Sequence, residues 1–234
     1  MTTYRLITAN RNYSSWSLRP WVLMKALGID FADEVRPFEA PVNYAAFRAF
    51  SPTGQVPALI DTLDDGTTRT IWDSLGITLY LADRHSTVWP ADPAARAWAM
   101  CAASEMHAGF GTLRNACTMN VGVRVAMGAP GGALNRDIAR LRELWEEGLN
   151  RFGGPYLAGP AFSAVDAFFA PVAYRVRTYA LDVGPAGQAW VDHMIAHPAM
   201  QIWEAEALKE RWREAGHEAE LIAAGRIIED YRAE

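Results

Sequence analysis

Val56-Pro57, at the head of the apolar run Ala58-Leu59-Ile60, constrains this chain more than any other feature. Proline has no N–H to give to a sheet ladder, so a strand entering here begins at a fixed bend. The bond before it also admits a cis peptide. Such a bend leaves the N–H and C=O of Val56 pointing outward, able to bind an extended, peptide-like ligand as a neighbouring strand would be bound. Further along, Asp73-Ser74 opens an apolar segment and reads as a helix entry, where hydroxyl and backbone N–H groups at the positive end suit a carboxylate. The two stretches are halves of a site for a small acidic peptide, although Pro-Thr-Gly-Gln-Val-Pro alone is also ordinary turn chemistry.

Around these stretches the apolar spacing sets an order of elements. Tyr4 to Ala9 reads as a strand, Asn10 to Ser15 as a polar loop, and Trp16 to Leu27 as a helix stopped by Gly28. A second strand follows at Phe31 to Val35, then a short irregular helix over Pro41 to Phe50. Pro57 to Asp61 and Thr67 to Ile71 flank Asp64-Asp65-Gly66 as a hairpin, and Ser74 to Arg84 is helical. This βαβ-α-ββ-α order predicts an α/β thioredoxin-like domain over residues 1–85, with one parallel and one antiparallel pairing. Pro90 and Pro93 mark residues 86–93 as a linker. Beyond it the strand signals stop, and residues 94–234 are expected to form an all-α helical bundle. Its helices are expected at Ala94 to Cys117, Asn135 to Phe152, Ala167 to Tyr179, Gln188 to Ala196 and Pro198 to Arg213, with a charged tail from Glu214. Ser163 and Asp166 stand three apart, as in a capping box with aspartate for glutamate.

Composition excludes several classes. A net charge of -5 without a basic stripe argues against nucleic acid as a partner. No apolar stretch spans a bilayer, and the start lacks a signal-peptide pattern, so a cytoplasmic protein is expected. The two cysteines, Cys101 and Cys117, form no Cys-x-x-Cys pair and read as idle thiols, and none lies near residues 10–20 to do dithiol chemistry. The histidines show no metal-ligand spacing beyond the pair His193 and His197, so no metal is expected.

The succession Asn12-Tyr13-Ser14-Ser15, then Gly54-Gln55-Val56-Pro57, then Asp73-Ser74 resembles the N-terminal domain of glutathione S-transferases. The Ser163-x-x-Asp166 element resembles a folding motif of that family's C-terminal domain, so the resemblance covers nearly the whole chain. It implies that Gln55, Val56 and Pro57 hold the cysteinyl backbone of glutathione, the co-substrate, and that Asp73 and Ser74 hold its γ-glutamyl end. It also implies a homodimer acting on a small electrophile.

Glutathione transfer needs a thiolate, and a free thiol is mostly protonated at neutral pH, so the site needs a hydrogen-bond donor at a helix N-terminus. Tyr13, Ser14 and Ser15 stand at the start of the first helix, and Tyr4 on the strand before it. Ser14-Ser15-Trp16-Ser17-Leu18-Arg19 resembles the Ser-Ser-Cys-Ser-Trp-Arg signature of zeta-class transferases, in which the first serine activates glutathione, favouring Ser14. Trp16 replaces the zeta cysteine, and the theta-like spacing to the arginine favours Ser15 instead. As residues alone, both serines serve equally as helix caps. Arg19 is expected to support the fold through a buried ion pair. The pattern from Glu105-Met106-His107 through Arg114 to Met119-Asn120 resembles a bacterial subgroup of the family, and places Trp16, His107, Arg114 and Asn120 as candidates for the electrophile pocket. Arg114 and Arg124 suit an anionic substrate. The implied activity is glutathione transfer. The alternatives are a glutathione-dependent cis-trans isomerisation of the maleylacetoacetate type, and a non-catalytic binder of glutathione or apolar ligands.

Overall fold

Residues 3–38 and 44–233 are described in the computed structural model of the chain. Strand β1 (Thr3–Thr8), helix α1 (Ser15–Ala26) and strand β2 (Phe31–Val35) form a βαβ unit, with β1 and β2 parallel and Leu6 opposite Asp33. After α2 (Tyr44–Arg48) come β3 (Ala58–Thr62) and β4 (Thr68–Trp72), the expected hairpin. Strand β3 runs antiparallel to β1, with Leu59 opposite Leu6. The sheet order is β2-β1-β3-β4, and α3 (Ser74–Ala82) follows, which completes the thioredoxin-like domain. The first residues of the helix expected over Pro41 to Phe50, 41–43, lie outside the described residues.

Strand β1 lies inside the sheet, so Leu6 and Ile7, pointing to opposite faces, are both fully buried. Helix α4 (Pro93–Ala108) opens the second half, capped by Asp92, whose carboxylate accepts from Ala95 N at 2.8 Å. The single helix expected from Ala94 to Cys117 is broken. Gly109 N closes α4 on Glu105 O at 2.7 Å, Phe110 takes a left-handed conformation at φ 53°, and α5 (Gly111–Ala116) starts afresh. A Cβ at Gly109 would stand 2.7 Å from Glu105 O, so the break is built for glycine.

The all-helical expectation for the second half also needs correction. Strand β5 (Val123–Ala126) pairs antiparallel with β6 (Arg226–Asp230) near the C-terminus, Val123 opposite Asp230. Between them run α6 (Gly132–Phe152), α7 (Ala164–Tyr179), α8 (Gly184–Ala196), α9 (Pro198–Lys209) and α10 (Ala215–Ala224). Val121, Val123 and Val125 do alternate with period two, but their partner lies at the far end of the chain, beyond the reach of any local pattern.

The expected capping box forms. Asp166 Oδ2 accepts from Ser163 N at 3.0 Å, and Oδ1 from Leu157 N at 2.9 Å and Trp190 Nε1 at 3.2 Å, so one carboxylate ties α7 to the preceding loop and to α8. Helix α7 is buried along almost its whole length and packs on α1. Helix α1 therefore lies between the sheet and α7, which is why Leu18, Trp21, Val22, Leu23 and Met24 are all buried on a helix with little polar face. The loop before α1 is fastened to the far end of α9. Arg11 N donates to Glu210 at 2.8 Å, Asn12 Nδ2 to Ala207 O at 2.6 Å, and Trp203 Nε1 to Arg11 O at 3.0 Å.

Candidate functional site

A cleft of about 830 Å³ opens where the N-terminus of α1 faces the helical half. Tyr13, Ser14, Ser15 and Trp16 enter it from the start of α1, Thr53 to Pro57 from the turn before β3, and Trp72 to Ser74 from the junction of β4 and α3. The opposite wall carries His107 from α4, Arg114 from α5, Thr118 and Met119 from the loop after α5, and Arg175 from α7. Three segments far apart in sequence thus meet at one cavity because β3 lies beside β1 in the sheet and α3 begins directly after β4. Of the residues expected at a site, Ser14, Ser15, Trp16, Gln55, Val56, Pro57, Asp73, Ser74, His107 and Arg114 line it.

The Val56–Pro57 peptide is cis. Asp73 holds φ at +63°, and its carboxylate caps α3 by accepting from Leu75 N at 2.8 Å. Ser74 is buried beside it, and its Oγ has no partner among the described residues. An unpaired buried hydroxyl at a helix N-terminus is a donor waiting for an acceptor. His107 Nε2 reaches across to Asp73 Oδ1 at 3.6 Å, while its ring meets Trp16 edge-on. Burial holds the His107 pKa below the ordinary histidine value, with Arg19 and Arg114 adding to the effect and Asp73 opposing it.

The two serines differ in what their hydroxyls do. Ser14 occupies the N-cap of α1 yet makes no capping bond; its Oγ donates to Ser17 Oγ at 2.7 Å, which in turn accepts from Ala9 N at 3.2 Å. Ser15 is partly exposed to the cleft, and among the described residues nothing pairs with its hydroxyl. No described carbonyl or side chain accepts from the backbone N–H of Trp16 or Ser17, leaving the positive end of α1 directed at the same place. The tyrosines are otherwise engaged. Tyr13 OH donates to Glu218 Oε1 at 2.6 Å, and burial together with Glu218 raises its pKa. Tyr4 OH lies against His85 at 3.4 Å and is not part of the cleft.

Several expected roles are corrected. Arg19 forms no ion pair with a described residue. It is fully buried, its guanidinium over the Trp16 ring at 4.1 Å and near Phe168 at 5.0 Å, and burial together with Arg175 and Arg114 lowers its pKa. Asn120 is buried away from the cleft, and Thr118 and Met119 stand there instead, because the chain turns inward after Met119 to let Asn120 O accept from Thr178 Oγ1 at 2.7 Å. Arg124 donates to Val123 O at 2.8 Å on β5, outside the cleft.

Sequence reasoning missed Arg175 and the contribution of the tail. Arg175 sits in the otherwise apolar run Val172 to Val176 of a buried helix, and a charge in such a place is a signal in itself. His217 of α10 stacks its ring on Tyr13 at 4.9 Å and on Phe38 at 5.4 Å, and with Glu220 lines the cleft. Among the described residues, no group of three or more His, Cys, Asp or Glu could hold a metal ion, and no helix is long and apolar enough to cross a membrane.

Residues 13–84 match the family model described as glutathione S-transferase, N-terminal domain. No curated protein matches the chain by sequence. Among solved structures, a glutathione transferase homologue from Burkholderia gl BGR1 with bound glutathione is 20% identical at a TM-score of 0.65, over 88% of this chain and 98% of that one. Maleylacetoacetate isomerase from Anaeromyxobacter dehalogenans 2CP-1 is 21% identical at 0.63, over 92% and 96%. Ure2p in complex with glutathione is 17% identical at 0.65, over 86% and 97%. These similarities extend the shared fold through the helical half.

Proposed function

We propose, from the match of residues 13–84 to the N-terminal domain of glutathione S-transferases, that the chain binds glutathione in the cleft and delivers its sulfur to an electrophilic carbon. The observation that carries the proposal is the convergence on one cavity of a free hydroxyl at the start of α1, the outward-facing turn at Val56, and the carboxylate and buried hydroxyl of Asp73-Ser74. Each matches one part of a γ-linked tripeptide. The backbone of Val56, with Gln55 and Pro57 beside it, pairs with the cysteinyl segment. Asp73 takes the γ-glutamyl ammonium, and Ser74 Oγ its carboxylate. The sulfur then lies near the N-terminus of α1, where a hydroxyl and unpaired amides stabilise the thiolate.

Ser15 is the proposed donor, because its proton is free while that of Ser14 is spent on Ser17. Ser14 and Ser17 fix the first turn that presents it. The partner substrate enters beside Trp16, His107 and Arg114, which pack on one another along the helical side of the cleft. Calorimetric titration with glutathione at neutral pH tests the binding half. Micromolar to millimolar affinity is expected, and no heat of binding would remove the tripeptide site.

The resemblance to an isomerase structure gives a second reading of the same site, in which glutathione adds and then leaves. Glutathione recovered unconsumed after turnover of a cis-dienone acid would support isomerisation, and stoichiometric conjugate would support transfer.

A further inference from the structure

The described arginines of this chain are in general neutralised where they are buried. Arg11 meets Asp33 at 2.6 Å and Glu206 at 2.7 Å, and Arg232 meets Glu218 and Asp230. Beside the cleft this rule fails twice, at Arg19 of α1 and Arg175 of α7. The half-buried Arg114 of α5 joins them: Arg19 and Arg114 stand 4.1 and 5.2 Å from the centre of the Trp16 ring, and Arg114 and Arg175 line the same cavity. Among the described residues no carboxylate stands within ion-pair distance of any of them, although Asp73 and Glu220 line the same cavity. Arg19 and Arg175 are 1% and 4% exposed.

Their hydrogen bonds are also incomplete. Arg114 Nη1 donates to His107 O at 3.3 Å, and Arg175 Nε to Cys117 O at 2.8 Å. Arg19 Nε and Nη1, Arg114 Nε and Arg175 Nη1 are buried with no acceptor, and among the described residues nothing accepts from Nη2 of Arg114 or Arg175. Taking a cation out of water costs several kcal/mol unless an anion or a full set of acceptors replaces the water. Two such cations, Arg19 and Arg175, repelling each other and the half-buried Arg114, are retained at a loss to the fold, and Arg114 and Arg175 line the cavity. A guanidinium fork offers paired N–H donors that match a carboxylate edge to edge, and Trp16 offers an apolar face beside them.

We propose that Arg114 and Arg175, backed by the charge of Arg19, bind an anionic group on the electrophile, so that carboxylate-bearing electrophiles are the substrate class of this cleft. The proposal rests on the glutathione reading above, which assigns the facing wall of Val56 and Asp73 to the tripeptide. With an aryl halide the step is a displacement. The thiolate forms a C–S bond at the ring carbon bearing chlorine, the C–Cl bond breaks, and chloride leaves with the bonding pair. The thiol proton has already passed to solvent. The carboxylate held by the arginines stays intact and fixes the ring against Trp16.

The test compares 4-chloro-3-nitrobenzoate with the neutral 1-chloro-2,4-dinitrobenzene, each rate divided by its uncatalysed rate. Losing one charge-assisted pair in Arg114→Gln should lower the carboxylate-to-neutral ratio of kcat/KM by about tenfold, and Arg114→Lys should recover much of it. An unchanged ratio in Arg114→Gln overturns the proposal, provided circular dichroism shows the variant folded. Arg175→Lys, which keeps charge while losing the fork, should lower the ratio by a smaller factor. Calorimetric binding of 4-methyl-3-nitrobenzoate, which has no leaving group, is measured without glutathione. It should be clear in the native protein and weakened about tenfold in Arg114→Gln. This second readout does not depend on glutathione, so an inert tripeptide site with intact benzoate binding would sink the transferase reading and leave the anion site standing. Glutathione affinity falling in Arg114→Gln by the same factor as benzoate affinity would assign the arginines to the tripeptide and overturn the proposal.

Discussion

His107 Nε2 lies 3.6 Å from Asp73 Oδ1, so the last turn of α4 touches the residue that caps α3. The contact joins the two halves of the chain at the point where the γ-glutamyl end of glutathione is proposed to bind. It also means that one carboxylate has three neighbours to satisfy: Leu75 N within its own helix, the imidazole across the cleft, and the incoming ammonium. About half of the Asp73 side chain stays open to solvent, which leaves room for the third. Asp73 holds φ +63° with ψ +139°, outside the left-handed well and strained for any side chain, while its carboxylate lines the cavity.

Asp73→Asn separates binding from stability. Asparagine matches aspartate in shape, meets the same backbone strain and caps a helix about as well, so the urea midpoint should correspond to a change within about 0.5 kcal/mol. The negative charge is gone, and glutathione affinity measured by calorimetry should fall by about tenfold or more. A variant that binds glutathione as tightly as the native protein would take the ammonium away from Asp73.

His107 gives a pH dependence of defined sign. Its folded-state pKa lies below the ordinary value of about 6.5 because burial disfavours the imidazolium. The unfolded chain therefore binds the proton first as pH falls through 6.5, and the native state loses stability until its own lower pKa is passed. Relative to His107→Gln, the native protein should be less stable at pH 5.5 than at pH 7.5, measured as the difference in urea unfolding free energy at each pH. A difference that grows in favour of the native protein on acidification would reverse the sign and place the folded pKa above 6.5.

Asp166 carries a larger structural load than either. Both of its oxygens accept from N–H groups, so Asp166→Asn must turn an amide NH₂ toward at least one buried donor from Leu157, Ser163 or Trp190. Leaving that donor unpaired should destabilise the protein by about 2–3 kcal/mol in urea unfolding. Asp166→Ala should cost more. Near-native stability of Asp166→Asn would show that the loop, and not the carboxylate, anchors α7.

How much of this was legible depends on the range over which each feature is encoded. Val56-Pro57, Asp73-Ser74 and Ser163-x-x-Asp166 declare themselves within a few residues, because a missing N–H, a cap and a capping box are local chemistry. That Val56-Pro57 and Asp73-Ser74 form halves of one site was legible from their chemistry, and that the start of the first helix joins them was legible through resemblance. The β5–β6 pair was not legible, since each strand is short and its partner is remote in sequence. The same distance hid His217 and Glu220, whose helix α10 is held against the start of α1 by the Tyr13–Glu218 hydrogen bond and the Tyr13–His217 stack. Arg19 was read as half of an ion pair from a sound rule about buried charge. What the structure has in place of the carboxylate is the face of Trp16 and two more arginines, and that absence of a partner could be seen only with α1, α5 and α7 assembled.

The serine pair gives the last prediction. A hydrogen-bond donor to sulfur favours the thiolate, and losing it raises the thiol pKa, so below that pKa the reactive fraction falls tenfold per unit. Ser15→Ala removes the free hydroxyl and should lower kcat with a broad aryl halide by about ten- to a hundredfold. Glutathione affinity should hardly change, because Val56 and Asp73 still hold the tripeptide. The pH profile of kcat should move to higher pH in this variant, a shift that a merely structural role would not produce. Ser14→Ala deletes the bond to Ser17 that steadies the first turn of α1, so it should cost about 1 kcal/mol of stability and leave that profile in place. The opposite pattern, with the profile shifted in Ser14→Ala and fixed in Ser15→Ala, would transfer the role to Ser14 and require its hydroxyl to leave Ser17 when glutathione binds.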